Sequence, residues 1–240
     1  MRTLVVIKFL LNLSSYLLRK NRSKKVSYSL TSVDLLVNYI FKNKSRGIFI
    51  DVGCNHPVFN NNTYLLYKRG WNGLNIDLDS QSIDLFNYFR TKDLNICSAI
   101  SSSESEEDYF FYHDKSPINT INKEITKIHN AKPTIKKLNT KTLDQVLKNS
   151  KFSNEKIDFL SIDVEGHELE VLKGFNLIKY SPKIISIEFL DNNLTKIDVK
   201  NFELANVINS KLYKYLINNK YRLVNWLHSD LIFAHQDFRD

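Results

Sequence analysis

At four places in this 240-residue chain an apolar run gives way to acidic side chains. Ile48-Phe49-Ile50 leads into Asp51-Val52-Gly53-Cys54-Asn55-His56-Pro57, and Leu74-Asn75-Ile76 into Asp77-Leu78-Asp79. The run from Ile157 to Ile162 ends on Asp163-Val164-Glu165-Gly166-His167-Glu168. The run Lys183 to Phe189 carries Glu188 near its end, with Asp191-Asn192-Asn193 after it. Ligands of open α/β sheets sit beyond the carboxyl ends of the strands, so these tips are where a site is expected. Gly53 permits close backbone approach after the first strand. Asp77, at the tip of the second, can accept both hydroxyl hydrogens of a ribose. The pair points to a nucleoside cofactor. A dinucleotide needs G-x-G-x-x-G so that backbone can pack against a pyrophosphate. Here Gly53 is followed by Asn55, His56 and Pro57 where further glycines would stand. That loop suits a cofactor without phosphates. S-adenosylmethionine is the obvious candidate, with Asp51 near its amino group.

Asp163, Glu165 and His167, together with His56, are the candidates for proton transfer. Histidine titrates near neutral pH and can take a proton from a hydroxyl group. His167 is the first choice of base, oriented by Glu165 or Asp163. Blander roles stand beside these: His167 bonding locally, Glu165 and Glu168 placing favourable charge at a helix start, and His56 bracing the cofactor loop. A Mg²⁺ reading would use Asp163, Glu188 and Asp191 or Asn192, all oxygen donors.

The elements that must position these residues alternate. A stripe of Val33, Leu36, Val37, Ile40 and Phe41 predicts a helix over 31–43, and Arg46-Gly47 ends it before the strand 48–50. A helix over 63–69 stops at Gly70 and precedes the strand 74–76. Ser80 caps a helix carrying Ile83, Phe86 and Phe89, and a third strand covers about 94–99. Residues 101–108 read as a turn and 109–112 as a short strand, either a buried edge or a wall for sugar stacking. Residues 113–139 are polar without periodicity, a candidate substrate loop. Thr142-Leu143-Asp144-Gln145 is a capping box opening a helix through Lys148. Strand 157–162, a helix over 168–173 stopped by Gly174, strand 183–189 and a long helix over about 202–219 follow. Strands 221–227 and 231–235, joined by His228-Ser229-Asp230, should pair antiparallel. The order predicts an α/β, Rossmann-like, mostly parallel seven-stranded sheet with a C-terminal antiparallel hairpin and helices on both faces. Trp71 is expected in its core.

Composition sets outer limits. Hydrophobic residues at 42% and charged residues at 25% exclude collagen, coiled coil and full disorder. Two cysteines cannot build a disulfide scaffold or a cysteine zinc site, which suits a cytoplasmic protein. The net charge of +8 accompanies 27 Asn and abundant Lys, the mark of an AT-biased genome, so no nucleic-acid partner is inferred. Residues 1–30 read as an amphipathic, basic helical segment and 31–240 as a single domain. Leu4 to Leu18 is interrupted by Lys8, Asn12, Ser14 and Ser15, too broken for a spanning helix or a signal peptide. It is expected either to pack on the domain or, with Arg19, Lys20, Arg22, Lys24 and Lys25, to touch the inner face of an anionic membrane peripherally.

These segments resemble the FkbM family of S-adenosylmethionine-dependent methyltransferases. The likeness rests on Ile50 to Pro57, Asn62-Thr63, Gly70-Trp71-Asn72-Gly73-Leu74-Asn75-Ile76-Asp77, Thr142-Leu143-Asp144 and Ile157 to Glu168. Val171-Leu172-Lys173-Gly174-Phe175 and the strand from Pro182 to Glu188 extend it. Cys54 and Pro57 stand where such families often have a small residue and a glycine, and Ser161 stands where a lysine is expected. The resemblance implies a class I methyltransferase fold and methyl transfer, usually to a hydroxyl oxygen of a surface glycan, glycan precursor or natural product. Cofactor contacts are then expected at Asp51, Gly53, Asn55, Thr63, Asp77, Ser98 and Asp163, and catalytic roles at His167, Glu165, Asp163 and His56. Two other classes remain as alternatives. A nicotinamide-dependent oxidoreductase would bind NAD. A non-catalytic binding module would tolerate loss of Asp51 or Asp77.

Overall fold

The computed structural model describes residues 2–20, 25–114, 116, 118–127, 131–189 and 203–238. The chain opens with α1 (Arg2–Lys20), α2 (Val33–Ile40), β1 (Ile48–Val52), α3 (Tyr64–Lys68), β2 (Asn72–Asp77), α4 (Ser80–Phe89) and β3 (Leu94–Cys97). There follow β4 (Ala99–Ile100), β5 (Glu106–Phe111), a 3₁₀ turn Ile125–Lys127, β6 (Thr134–Lys141), α5 (Leu143–Lys148), β7 (Phe159–Ile162), α6 (Glu168–Lys173) and α7 (Leu177–Tyr180). The chain closes with β8 (Ile184–Glu188), α8 (Leu204–Asn209), α9 (Lys211–Asn218), β9 (Tyr221–Leu227) and β10 (Asp230–His235).

Seven strands form one sheet in the order β3-β2-β1-β7-β8-β10-β9. The pairs β2–β3, β1–β2, β1–β7 and β7–β8 are parallel, and β10 is antiparallel to both β8 and β9. The order reverses beside β1, with β2 on one side and β7 on the other, which makes a crevice at their carboxyl ends. Side chains alternate along each strand. Phe49 and Phe159 face α2 and α3 with Val33, Val37, Leu66 and Trp71. Ile50, Val52, Leu160 and Ile162 face the opposite layer with Leu147, Val171, Leu172 and Leu216. Helices therefore cover both faces, and the central strands are apolar on both sides, as buried parallel strands must be. Trp71 is fully buried in the first layer, as expected.

Local chemistry explains several boundaries. Thr142 Oγ1 accepts from Gln145 N while Gln145 Oε1 accepts from Thr142 N, the capping box read from the sequence. Gly174 caps α6. Asp79 rather than Ser80 caps α4, its carboxylate accepting from Gln81 N at 2.8 Å. The expected long helix over 202–219 is two helices. Ser210 is extended (φ −65, ψ 152), and its Oγ caps α9 by accepting from Tyr213 N. Val207, Leu212 and Leu216 still share one core, which is why the periodicity ran through the break.

The expected strand over 94–99 also divides. Ser98 N bonds Asp77 O, and the chain leaves the main sheet there, so that β4 joins a three-stranded sheet of order β4-β6-β5. This second sheet was absent from the sequence expectation. In β6 the side chains are mostly exposed, with Thr140 the buried one, so no hydrophobic period marks it. Tyr109 and Phe110 of β5 are buried, so these two rings serve packing, while Phe111 and Tyr112 are half-buried. In α1 the described side chains from Val5 to Leu13 are exposed, Val5 at 65% and Leu11 at 64%, so none of these is packed on the domain. No helix among the described residues is long and apolar enough to cross a membrane.

Candidate active site

The crevice at the carboxyl ends holds a cleft of about 250 Å³. Its first wall is the turn after β1. Gly53 adopts φ +80, and a Cβ placed on it would lie 1.7 Å from the carbonyl oxygen of Asp163. Gly53 N and Cys54 N both donate to Ile76 O, at 2.9 and 3.1 Å. The turn is thus clamped between the tips of β2 and β7, a contact that a side chain at residue 53 would prevent.

Asp77 ends β2 and organises the adjoining loops. Its Oδ2 accepts from Asn55 N and its Oδ1 from Asp79 N, both at 2.8 Å. Burial raises its pKa above the ordinary carboxylate value, and those amides oppose the shift. A carboxylate offers about four acceptor positions, so two remain for hydroxyl groups in the cleft.

Asp51 and Thr63, expected at the cofactor, do not line the cleft. Strand alternation turns Asp51 toward α3, the side opposite Ile50 and Val52. Its Oδ2 accepts from Thr63 Oγ1 at 2.9 Å and from Asn61 Nδ2 at 3.0 Å. Thr63 Oγ1 in turn accepts from Arg90 Nη2 at 3.1 Å. This buried network holds the segment from Asn55 to Thr63, of which Asn55, Asn60 and Asn62 reach the cleft. His56 is likewise off the cleft. Its Nδ1 accepts from Val58 N and Phe59 N at 3.1 and 3.0 Å, so it braces the loop.

Burial raises the Asp51 pKa from 3.8 to about 6, against the opposing pull of Thr63 and Arg90. A carboxyl whose folded pKa is raised contributes stability below its unfolded value and loses it as pH rises through the folded value. The difference corresponds to about 3 kcal/mol. The melting temperature of wild type should therefore fall between pH 4 and 7 by more than that of Asp51→Asn, in which an amide keeps the two hydrogen bonds. Parallel melting curves for the two proteins across this range would refute the assignment.

The second wall is the turn 163–167. Glu168 is buried, and its Oε1 accepts from Val164 N and Gly166 N at 3.1 and 2.9 Å. Its role is therefore to shape the turn. Glu165 sits at φ 56 and faces the cleft. The polar stretch that the sequence leaves open crosses here. Thr120 Oγ1 donates to Glu165 O, Asn122 Nδ2 donates to Gly166 O, and Ser116, Asn119 and Ile121 reach the cleft. His167 lines the cleft, and its Nε2 shares a 2.9 Å hydrogen bond with Ser101 Oγ. Its bonded partner is thus Ser101, where Glu165 or Asp163 was expected. Burial lowers its pKa, leaving a neutral imidazole at neutral pH.

The electrostatics are lopsided. Six carboxylates line the cleft, those of Asp77, Asp79, Asp163, Glu165, Glu188 and Asp230, and among the described residues no lysine or arginine does. Asp163 opens onto the cleft, yet loss of hydration around its carboxyl and the charges of Glu168 and Asp230 push it up to about 7. Burial with Asp163 and Glu168 nearby pushes Glu165 up to about 8, and Glu188 lies well above the carboxylate range for the same kind of reason. This acidic cleft sits in a chain of net charge +8. It favours cations and offers no positive side chain to hold a phosphate.

Of the residues predicted for the site, Gly53, Asn55, Asp77, Ser98, Asp163, Glu165 and His167 meet in this cleft. Glu188, considered only as a metal ligand, joins them, while Asp191 and Asn192 lie outside the described residues. Three participants escaped sequence reasoning. Arg90 sits at a helix end with nothing to mark it. Asp230 was read as part of a hairpin turn. Ser101 lay in a stretch read only as a turn.

The profile of the methyltransferase FkbM domain matches residues 51–223, from the end of β1 to β9. No curated protein matches the chain. Among solved structures, a TehB-like SAM-dependent methyltransferase from Corynebacterium glutamicum is 10% identical, with 93% of this chain and 96% of that one covered and a TM-score of 0.42.

Proposed function

The chain belongs to the FkbM methyltransferase family, and from that premise we propose that it uses S-adenosylmethionine to methylate a hydroxyl oxygen of a sugar, in a surface glycan or a glycan precursor. The observation that carries this reading is the six-carboxylate cleft without lysine or arginine. A pyrophosphate-bearing dinucleotide would find no lysine or arginine to hold its phosphates there, whereas a sulfonium and an amino group are matched by the acids. The cofactor fits the residues present. Asp77 has acceptor positions left for ribose hydroxyls, and Gly53, Asn55, Ser98 and Ala99 line the cleft with it.

S-adenosylmethionine, when bound, supplies an electrophilic methyl group for in-line displacement by an oxygen. The chain's own work is to position the acceptor and take its proton. Asn60 and Ser116 offer an amide and a hydroxyl partner for a polyhydroxyl acceptor, while Asn62 and Asn119, which also line the cleft, are tied to Ser29 and Ser161 and to Tyr112 and His113. His167, neutral and held by Ser101, receives the hydroxyl proton. The cofactor test is calorimetric titration with S-adenosylmethionine, S-adenosylhomocysteine and NAD. Wild type should bind the first two, and Asp77→Ala should lose about 10- to 100-fold in affinity. Binding of NAD alone would overturn the reading. Release of S-adenosylhomocysteine upon adding sugar acceptors tests the acceptor class, and release with no sugar or lipid-linked acceptor would refute it.

A further inference from the structure

We propose that Asp163, Glu165 and Glu188 form a divalent-cation site within the cleft, of the hard, oxygen-preferring kind occupied by Mg²⁺ or Mn²⁺. One carboxylate oxygen from each lies within 4.8 Å of the others. Oxygens bound to one Mg²⁺ at about 2.0–2.1 Å lie no more than about 4.2 Å apart, so small side-chain adjustments bring the three into one coordination shell. The three come from different places, the tip of β7, the turn behind it and the tip of β8. Their convergence is therefore a product of the fold.

Charge is the second argument. Among the described residues no lysine or arginine pairs with any of the three, since the ion pairs formed by carboxylates lie elsewhere. Their charged neighbours are further carboxylates, Glu168 and Asp230. Asp163 opens onto the cleft and Glu165 and Glu188 are half-buried, so a cation entering there would reach three carboxylates and no competing positive side chain.

The third argument is independent of charge. Glu188 Oε2 is buried and, among the described residues, accepts from no N–H or O–H donor, while the Glu188 carboxyl lies against that of Asp163. Buried oxygens are rarely left so, and a ligand beside this one would account for it. Asp230, also close by, is already engaged, accepting from Thr31 Oγ1 at 2.6 Å and from Ser186 Oγ at 3.5 Å. It shapes the field and leaves ligation to the other three. The bonds from Thr120 and Asn122 to the carbonyls of Glu165 and Gly166 hold the turn rigid, as a preorganised ligand set requires.

The role of the cation, though not the site itself, rests on the methyl-transfer reading. Bound beside the acceptor, it would polarise the hydroxyl and lower its pKa, easing passage of the proton to His167. The test uses Mn²⁺ alone. Paramagnetic resonance and calorimetry should show one Mn²⁺ bound per wild-type chain, weakened more than about tenfold in Glu188→Gln and in Glu165→Gln. Circular dichroism checks that both variants are folded. MnCl₂ should also raise the melting temperature of wild type and not that of the variants. No Mn²⁺ binding, or equal binding by wild type and both folded variants, overturns the site. S-adenosylhomocysteine titrated in EDTA is measured separately. Its binding without Mn²⁺ binding rejects the site and leaves the methyltransferase reading standing. Mn²⁺ binding without it supports the site and removes the proposed role.

Discussion

Gly53→Ala should abolish cofactor binding and lower stability by about 3 kcal/mol or more, since two penalties coincide. The new Cβ would meet the Asp163 carbonyl oxygen at 1.7 Å, and residue 53 would keep a backbone angle of +80 that alanine rarely adopts. Backbone cannot swing aside like a side chain. Asp163 N is bonded to Val52 O at 2.9 Å, so relief must part the tips of β1 and β7. That movement displaces Asp163 and the turn carrying Glu165 and His167. Gly70→Ala is the matched control. Gly70 has φ +92 and nothing within 4 Å of its would-be Cβ, so it carries only the backbone penalty, about 1 kcal/mol. Thermal melts should separate the two by roughly 5–10 °C, and S-adenosylhomocysteine should still bind the Gly70 variant. Equal melts and equal binding would mean that the β1 turn yields more easily than its clamp suggests.

Arg90→Leu should be comparably severe, costing about 3–5 kcal/mol. Arg90 and Asp93 form an ion pair with both side chains at 0% exposure, Nε to Oδ2 at 2.8 Å. The guanidinium also donates to Pro57 O, Asn61 Oδ1 and Thr63 Oγ1, and lies 4.5 Å from the Tyr67 ring centroid. Leucine would leave Asp93 as an uncompensated buried charge and release the segment that carries Asn60 and Asn62 into the cleft. Arg90→Leu with Asp93→Asn should recover part of the loss. The orphaned charge goes too, while the amide oxygen of an asparagine can still accept from Gly73 N, as Asp93 Oδ1 does. Denaturant unfolding of the single and double variants measures this. A double variant no more stable than the single one would show that the guanidinium's bonds to the loop, rather than its charge, carry the effect. Lysine cannot substitute, since it lacks the planar fork that reaches four acceptors at once.

Such effects bear on what could be read in advance. Periodicity and capping signals are local, and they placed α5, α6 and the closing hairpin closely. The carboxylates at the tips of β2 and β7 were visible because a parallel strand is an apolar run that must stop where the sheet ends. Sharp features without periodicity were not legible. The strand β6 buries little of its own, and Ser210 breaks a helix whose apolar stripe continues on both sides.

The sequence by itself determined the chain order of the strands of the main sheet and the helices that cross between them, and the family to which its motifs point. Each of these depends on residues near one another along the chain. Only the tertiary structure decided the roles of individual side chains. It turned Asp51 away from the cleft and into a network with Arg90, gave Ser101 to His167, and drew Glu188 against Asp163 and Glu165. The physical reason is that a side chain's work depends on which face of its strand is occupied and on what other segments bring to that face. Strand parity is written locally, but the neighbours across the sheet are set by register and crossover, which no local pattern encodes.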